Sequence, residues 1–307
     1  MPEIKKITSG LRFPEGPIAM PDGSVILVEI AAGRLTRVLP DGTKQTVAEP
    51  GGGPNGAAIG PDGKCYICNN GGFSWIEEDG LLRTGGTAAD YKTGRIERID
   101  LDTGKVETLY TECNGHALRG PNDIVFDGNG GMWFTDLGKR RARDMDMGGI
   151  YYARADGSMI VEAAYPAVTP NGIGLSADDG KLYAAETETS RLWEWDIIGE
   201  GKLSKEPWPS VNGGRCLAGV EGYQRFDSLA LDSAGNICVA TLVNGGITVI
   251  SPDGKDIEHI AMPDKMCTNI CFGGPDLRTA YMTLSTTGKL VSMEWPRPGL
   301  PLHYLNK

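Results

Sequence analysis

Apolar residues in this chain come in short runs broken by turns, and the runs follow one another in a repeating order. Six segments share it: FPEGPIAMPDGSVILVEI, GPNGAAIGPDGKCYICNN, GPNDIVFDGNGGMWFTDL, TPNGIGLSADDGKLYAAET, RFDSLALDSAGNICVATL and CTNICFGGPDLRTAYMTLS. Each opens near a polar residue, continues into an apolar run, turns, and runs apolar again. The polar anchors are Glu15, Asn55, Asn122, Asn171, Asp227 and Asn269. Seven residues beyond each, a turn begins at Asp22, Asp62, Asn129, Asp178, Ala234 and Asp276. Asp-Gly and Asn-Gly pairs at several of these sites are strong hairpin signals. A third run follows in every unit, as in GRLTRVLPDG and GRIERIDLDTG. Its alternation is approximate, with Arg95 and Glu97 set against Ile96 and Ile99, but the runs are too short for helices.

The anchors are 40, 67, 49, 56 and 42 residues apart. Two units therefore carry insertions, around Phe73 to Lys92 and around Gly199 to Tyr223. The remaining spacing matches a four-stranded propeller blade of roughly 40–50 residues. The expected fold is all-β, a six-bladed β-propeller occupying residues 1–307 as one domain. A strand near Ile4 to Thr8 should pair with the last blade and remove the exposed sheet edges. In such a fold the innermost strands run the same way along a central channel. The six anchors then form a ring at one height: two carboxylates and four amides, all oxygen donors.

Composition narrows the function. The 44 glycines, 19 prolines and 23% charged residues suit many short strands and tight turns. A net charge of −10 without a basic run argues against nucleic acid and against anionic membranes. The opening MPEIKKITSG lacks the apolar stretch of a signal peptide, and seven cysteines lie mostly in strand-like runs. The expectation is a reduced, cytoplasmic protein with buried thiols.

Asn and Asp also recur where turns form. That accounts for the Pro-Asn contexts, but not for Glu15, a poor turn former, nor for Asp227 after Phe226. A hard cation such as Ca²⁺ takes oxygen ligands from carboxylates, amides and water, and this ring supplies them. Asn55 and Asn269 read better as channel-lining structural residues. Rival motifs lack context. Gly51, Gly53 and Gly56 satisfy G-x-G-x-x-G but lead into a strand, and no G-x-S-x-G occurs. Cys65 and Cys68, three apart on a strand, face opposite ways. Trp133, Trp193 and Trp195 read as blade packing.

The stretches FPEGP with Glu15, LRGPNDIVFDGNGGMWFTD with Asn122 and Asp123, TPNGIGLS with Asn171, and RFDSLALDSAGNICVA with Asp227 resemble the SMP-30/gluconolactonase family, also called regucalcin-like or luciferin-regenerating-enzyme-like. TNICFGGPDLRTAYMT and PGLPL extend the resemblance almost end to end. It implies a six-bladed propeller holding one divalent metal through Glu15, Asn171 and Asp227, with Asn122 nearby. It also implies hydrolysis of lactones, especially sugar lactones, with Ca²⁺ as the first expectation and Zn²⁺, Mn²⁺ or Mg²⁺ as alternatives.

In that chemistry the ion polarises the carbonyl. Asp227 takes a proton from water, with metal-hydroxide attack as the alternative, and Asn122 or Arg119 binds the substrate. Where many members read GKRLNSPND this chain reads GHALRGPND, which places His116 and Arg119 among the expected substrate-binding residues. Lys139, Arg140, Arg141 and Arg143 lie on a loop expected beside the channel mouth. They either steer an oxygen-rich or anionic substrate or form a solvated basic loop balanced by Asp144 and Asp146. Non-sugar lactones, phosphotriesters and a non-catalytic calcium-binding propeller are the competing functions.

Overall fold

The computed structural model describes residues 3–307, so the first two residues of the expected domain lie outside it. The six repeats form six blades. Blade one runs Pro14–Ala19, Val25–Glu29, Arg34–Val38 and Lys44–Ala48, from channel to rim. The innermost strands of the next five are Pro54–Ile59, Pro121–Phe126, Pro170–Leu175, Arg225–Leu231 and Cys267–Gly273. Each packs beside its neighbours, and the ring closes where blade six meets blade one. Blade six takes its outer strand from the other end of the chain: Lys5–Ser9 pairs antiparallel with Lys289–Glu294, as the sequence predicts. No α-helix occurs among the described residues, and no helix is long and apolar enough to cross a membrane.

The apolar core is a set of wedges between blades. Phe13, Ile18, Ile26, Ile59 and Ile67 fill the gap between blades one and two; Trp133, Ile150, Leu182 and Trp195 fill the gap between three and four. Cys65 and Cys68 fall into different wedges, as strand alternation requires, and all seven cysteines are free.

One irregularity recurs in all six blades. The innermost strand slips register against its hairpin partner beside the anchor: between Glu15 and Ile18, Pro54 and Ala57, Pro121 and Ile124, Pro170 and Ile173, Phe226 and Leu229, and Cys267 and Asn269. Such a bulge leaves a residue unpaired, bends the strand and re-aims its side chain. The bulges nest against one another. Gly16 has φ 50°, and a Cβ there would lie 2.5 Å from the Asn55 carbonyl oxygen; one on Gly172 would lie 2.6 Å from that of Asp227. After Glu15, Asn55 and Asn171 a glycine lets the bulge approach its neighbour this closely.

The two insertions go to different places. Residues 199–223 stay at the outer edge of blade four, where Arg215–Gly219 completes the sheet. The other forms a separate hairpin, Phe73–Glu78 with Leu81–Thr87. It reaches across the channel mouth: Leu82 N donates to Thr286 O of blade six at 3.1 Å, Trp75 packs on Phe13 with ring centroids 5.1 Å apart, and Thr87 Oγ1 donates to Arg140 O of blade three at 3.0 Å. The opposite end is covered by residues 299–307, where Leu300 N donates to Leu231 O at 2.8 Å and His303 lies 3.0 Å from Asp179.

Candidate metal centre and active-site cavity

Under the hairpin lies a cavity of about 850 Å³ lined by Glu15, Asn55, Asn122, Asn171 and Asp227. All six anchors are buried. Asn269 sits behind Glu15, facing a smaller cavity toward the far end of the channel, and its Nδ2 donates to Glu15 Oε2 at 2.8 Å. Gly16 N donates to the same oxygen, also at 2.8 Å. Asn269 therefore positions the Glu15 carboxylate.

Two ring amides, Asn171 beside Asp227 and Asn122 one blade further on, carry an unmet need. Asn171 Nδ2 donates to Thr187 Oγ1 at 3.0 Å, but its Oδ1 is buried without a partner, and so is Oδ1 of Asn122. Each unpartnered buried acceptor costs about 1–3 kcal/mol. The carboxylates are strained in a matching way. Burial raises the Asp227 pKa well above its usual range, and the Glu15 charge adds to this; the Asn171 amide offsets part. Burial also raises Glu15, against its hydrogen bonds. Below the ring, Asp123 is pushed up to about 7, by burial and then by Glu15. Two negative groups that repel and two oxygens without donors ask for one positive charge with several coordination sites. A hard divalent cation fits that donor set. Among the described residues no group of three or more His, Cys, Asp or Glu is placed to hold a metal, so the amide oxygens are indispensable to such a site.

The walls divide by chemistry. Phe13, Ile30, Leu242 and Met266 give the side of blades five, six and one an apolar surface. Thr169, Thr187, Glu188, Lys139, Arg140 and Arg141 line the side of blades three and four, with Arg225 beside Asp227. Glu188 pairs with Arg140 at 3.2 Å and with Arg225, while Arg141 pairs with Asp146 at 2.8 Å.

His116 and Arg119 are not brought into this cavity. His116 is exposed on the short hairpin Glu112–Cys113 with His116–Ala117. The Asp136 carboxylate accepts the backbone amides of Arg119 and Gly120, each at 2.7 Å, and Tyr91 OH donates to Arg119 O at 2.7 Å. With its backbone held this way, the Arg119 side chain is exposed outside the lining. Of the basic loop, Lys139, Arg140 and Arg141 line the cavity and Arg143 does not. Sequence reasoning missed Arg225; the signal was its spacing, two residues before Asp227 on a strand, hence on the same face.

A family model for the "SMP-30/Gluconolactonase/LRE-like region" matches residues 13–286. The chain is 24% identical over 296 residues to a gluconolactonase of Zymomonas mobilis, covering 88% of this chain and 76% of that protein. It is 27% identical over 325 residues to the diisopropyl-fluorophosphatase of Loligo vulgaris, covering 97% and 94%. In structure it resembles a gluconolactonase from Xanthomonas campestris, with a TM-score of 0.74 at 21% identity, covering 95% of this chain and 89% of that one.

Proposed function

The chain belongs to the SMP-30/gluconolactonase/LRE-like family, and from that premise we propose that it hydrolyses lactones, using one divalent metal ion held by Glu15, Asn122, Asn171 and Asp227. One observation carries the reading: two buried carboxylates and two unpartnered amide oxygens share the floor of an 850 Å³ cavity. When bound, the ion would supply a Lewis acid that offsets negative charge on the lactone carbonyl oxygen.

The remaining steps belong to the chain's own residues. Water adds to the acyl carbon while a carboxylate oxygen of Asp227 takes its proton. The ring C–O bond then breaks, and that proton passes to the leaving alkoxide, giving the hydroxy acid. In the metal-free protein burial and the neighbouring Glu15 charge raise the proton affinity of Asp227, which offsets the acidifying pull a bound ion would exert on a liganding carboxylate. The hairpin contributes Phe73, Ser74, Thr84 and Thr87 to the cavity wall and so narrows the approach of water to the site. Thr84, Thr87, Thr169 and Thr187 offer hydroxyls to a polyhydroxylated substrate, which makes a sugar lactone the expected class.

Stripping the protein of metal and restoring Ca²⁺, Mg²⁺, Mn²⁺ or Zn²⁺ one at a time tests this, with acid release measured in a pH-stat. The panel comprises gluconolactone, alkyl lactones and diisopropyl fluorophosphate, the last because of the name of the Loligo relative. Lactone opening should vanish on stripping and return with at least one ion. Full activity in demetallated protein, or no lactone opened with any ion, overturns the proposal.

A further inference from the structure

Lys139 is a nearly buried ammonium, 3% exposed, on the wall of the cavity. Its Nζ donates to Asn70 Oδ1 at 3.1 Å and to Gly72 O at 3.0 Å. It also sits 4.5 Å from the ring centre of Phe73 and 4.9 Å from that of Tyr91. All four partners are neutral. The carboxylates nearest in influence, Asp136 and Asp146, lie on its own segment and are engaged elsewhere. Asp136 accepts the amides of Arg119, Gly120 and Gly138; Asp146 pairs with Arg141 and accepts the Lys139 backbone amide. From the packed blade-two insertion the titratable neighbour is Tyr91, whose hydroxyl is committed to Arg119 O. The other basic residues of the lining, Arg140, Arg141 and Arg225, each have an acidic partner.

A clamp joining this loop to the hairpin needs donors for two neutral acceptors. It does not need a charge, whose desolvation is costly without a counter-ion. An ammonium carries three N–H groups, and two are used here. The lining holds four acidic side chains (Glu15, Asp146, Glu188, Asp227) and four basic ones (Lys139, Arg140, Arg141, Arg225). A divalent cation at the ring would leave the cavity positive within a protein of net charge −10.

We infer that Lys139 is a specificity residue that receives a carboxylate of the substrate, so that the preferred lactones carry a free carboxylate on the ring substituent. This rests on the lactone-hydrolase reading above. Burial pushes the Lys139 ammonium down to about 7, with Asp136 and Asp146 pulling it part way back. Recognition of an anion should therefore weaken as pH rises through neutrality.

A matched pair tests the inference: D-saccharic acid 1,4-lactone carries a carboxylate where D-gluconic acid 1,4-lactone carries an alcohol. Wild type at pH 6.5 should favour the carboxylate by about tenfold or more in kcat/KM, chiefly through KM, and Lys139→Met should bring the ratio near one. A second arm needs no metal and no turnover. In calorimetry on metal-free protein, tetrahydrofuran-2-carboxylate should bind about tenfold more weakly per pH unit above 7. The neutral tetrahydrofurfuryl alcohol should show no such slope, and Lys139→Met should remove it. Equal kcat/KM for the two lactones in wild type, or a carboxylate affinity unchanged by pH or by the substitution, overturns the inference. If no lactone is opened at all, the functional reading fails and the calorimetric arm alone decides the role of Lys139.

Discussion

Replacing Asp227 with Asn should make the metal-free protein more stable and the metal-loaded protein less so. Without an ion, Asp227 is a buried carboxylate facing a second one, and its folded pKa is raised by burial first and by Glu15 second. A group with a raised folded pKa contributes stability that is complete below its unfolded value, near 4, and is lost as pH rises through the folded value. An amide has no such loss, and Asn at 227 keeps an oxygen for Ser228 N, which donates to Asp227 Oδ1 at 3.1 Å. Replacing buried charge with neutral groups of similar size is worth roughly 1–4 kcal/mol. At about 2 °C per kcal/mol for a chain of this size, the gain is roughly 2–8 °C at pH 8 and nothing at pH 4. An ion reverses the order. At a hundred times Kd it stabilises wild type by about 2.7 kcal/mol, whereas the variant keeps a single anionic ligand and should bind about a hundredfold more weakly. Thermal melts at pH 4, 6 and 8, in EDTA and with Ca²⁺ titrated in, read both effects. A metal-free variant that melts at or below wild type at pH 8 refutes the account of strain, and equal Ca²⁺ affinities refute the ligand assignment.

Asn269→Leu removes the hydrogen bond to Glu15 Oε2 and should weaken metal binding roughly 10–100-fold in calorimetry, with the circular dichroism of the fold retained; unchanged affinity would show that Glu15 needs no such support. Replacing residues 75–85 with a short Gly-Ser turn uncovers the cavity, so KM for lactones should rise severalfold while metal affinity stays constant. Unaltered KM would mean that the hairpin only decorates the mouth. Deleting residues 3–9 leaves Lys289–Glu294 as an unpaired edge strand, and light scattering should detect association at concentrations where the full chain is monodisperse.

The repeat made the fold legible because each blade carries its own turn and its own anchor, and period and residue type together fix the place of Glu15, Asn55, Asn122, Asn171, Asp227 and Asn269 in one ring. What the pattern could not convey was contact between distant segments. Asn269 reads as a channel-lining residue, and its partnership with Glu15 joins positions that only ring closure brings together. Arg119 lies three residues before Asn122 and looks like a pocket residue. Its side chain is turned away because Asp136, seventeen residues later, binds its backbone amide. The insertion after Asn70 was visible as excess length, but its reach to Thr286 depends on the curvature of the whole ring. The register slips were hidden for a different reason: innermost strands such as Pro14–Ala19 and Pro170–Leu175 are buried on both faces, so their runs hold no alternation for an extra residue to break.

The hydrogen bond between Asn269 and Glu15 spans 254 positions of the chain, which sets the order in which the protein can mature. During synthesis the first blade emerges long before the residue that fixes its carboxylate, and the strand Lys5–Ser9 must wait for Lys289–Glu294. Contacts so far apart in sequence are slow to form. A ribosome-bound chain missing its sixth blade therefore has Glu15, Asn122, Asn171 and Asp227 but no finished site. An ion taken up at the ring would arrive after the circle has closed, as a latch on a completed structure rather than a nucleus for building it.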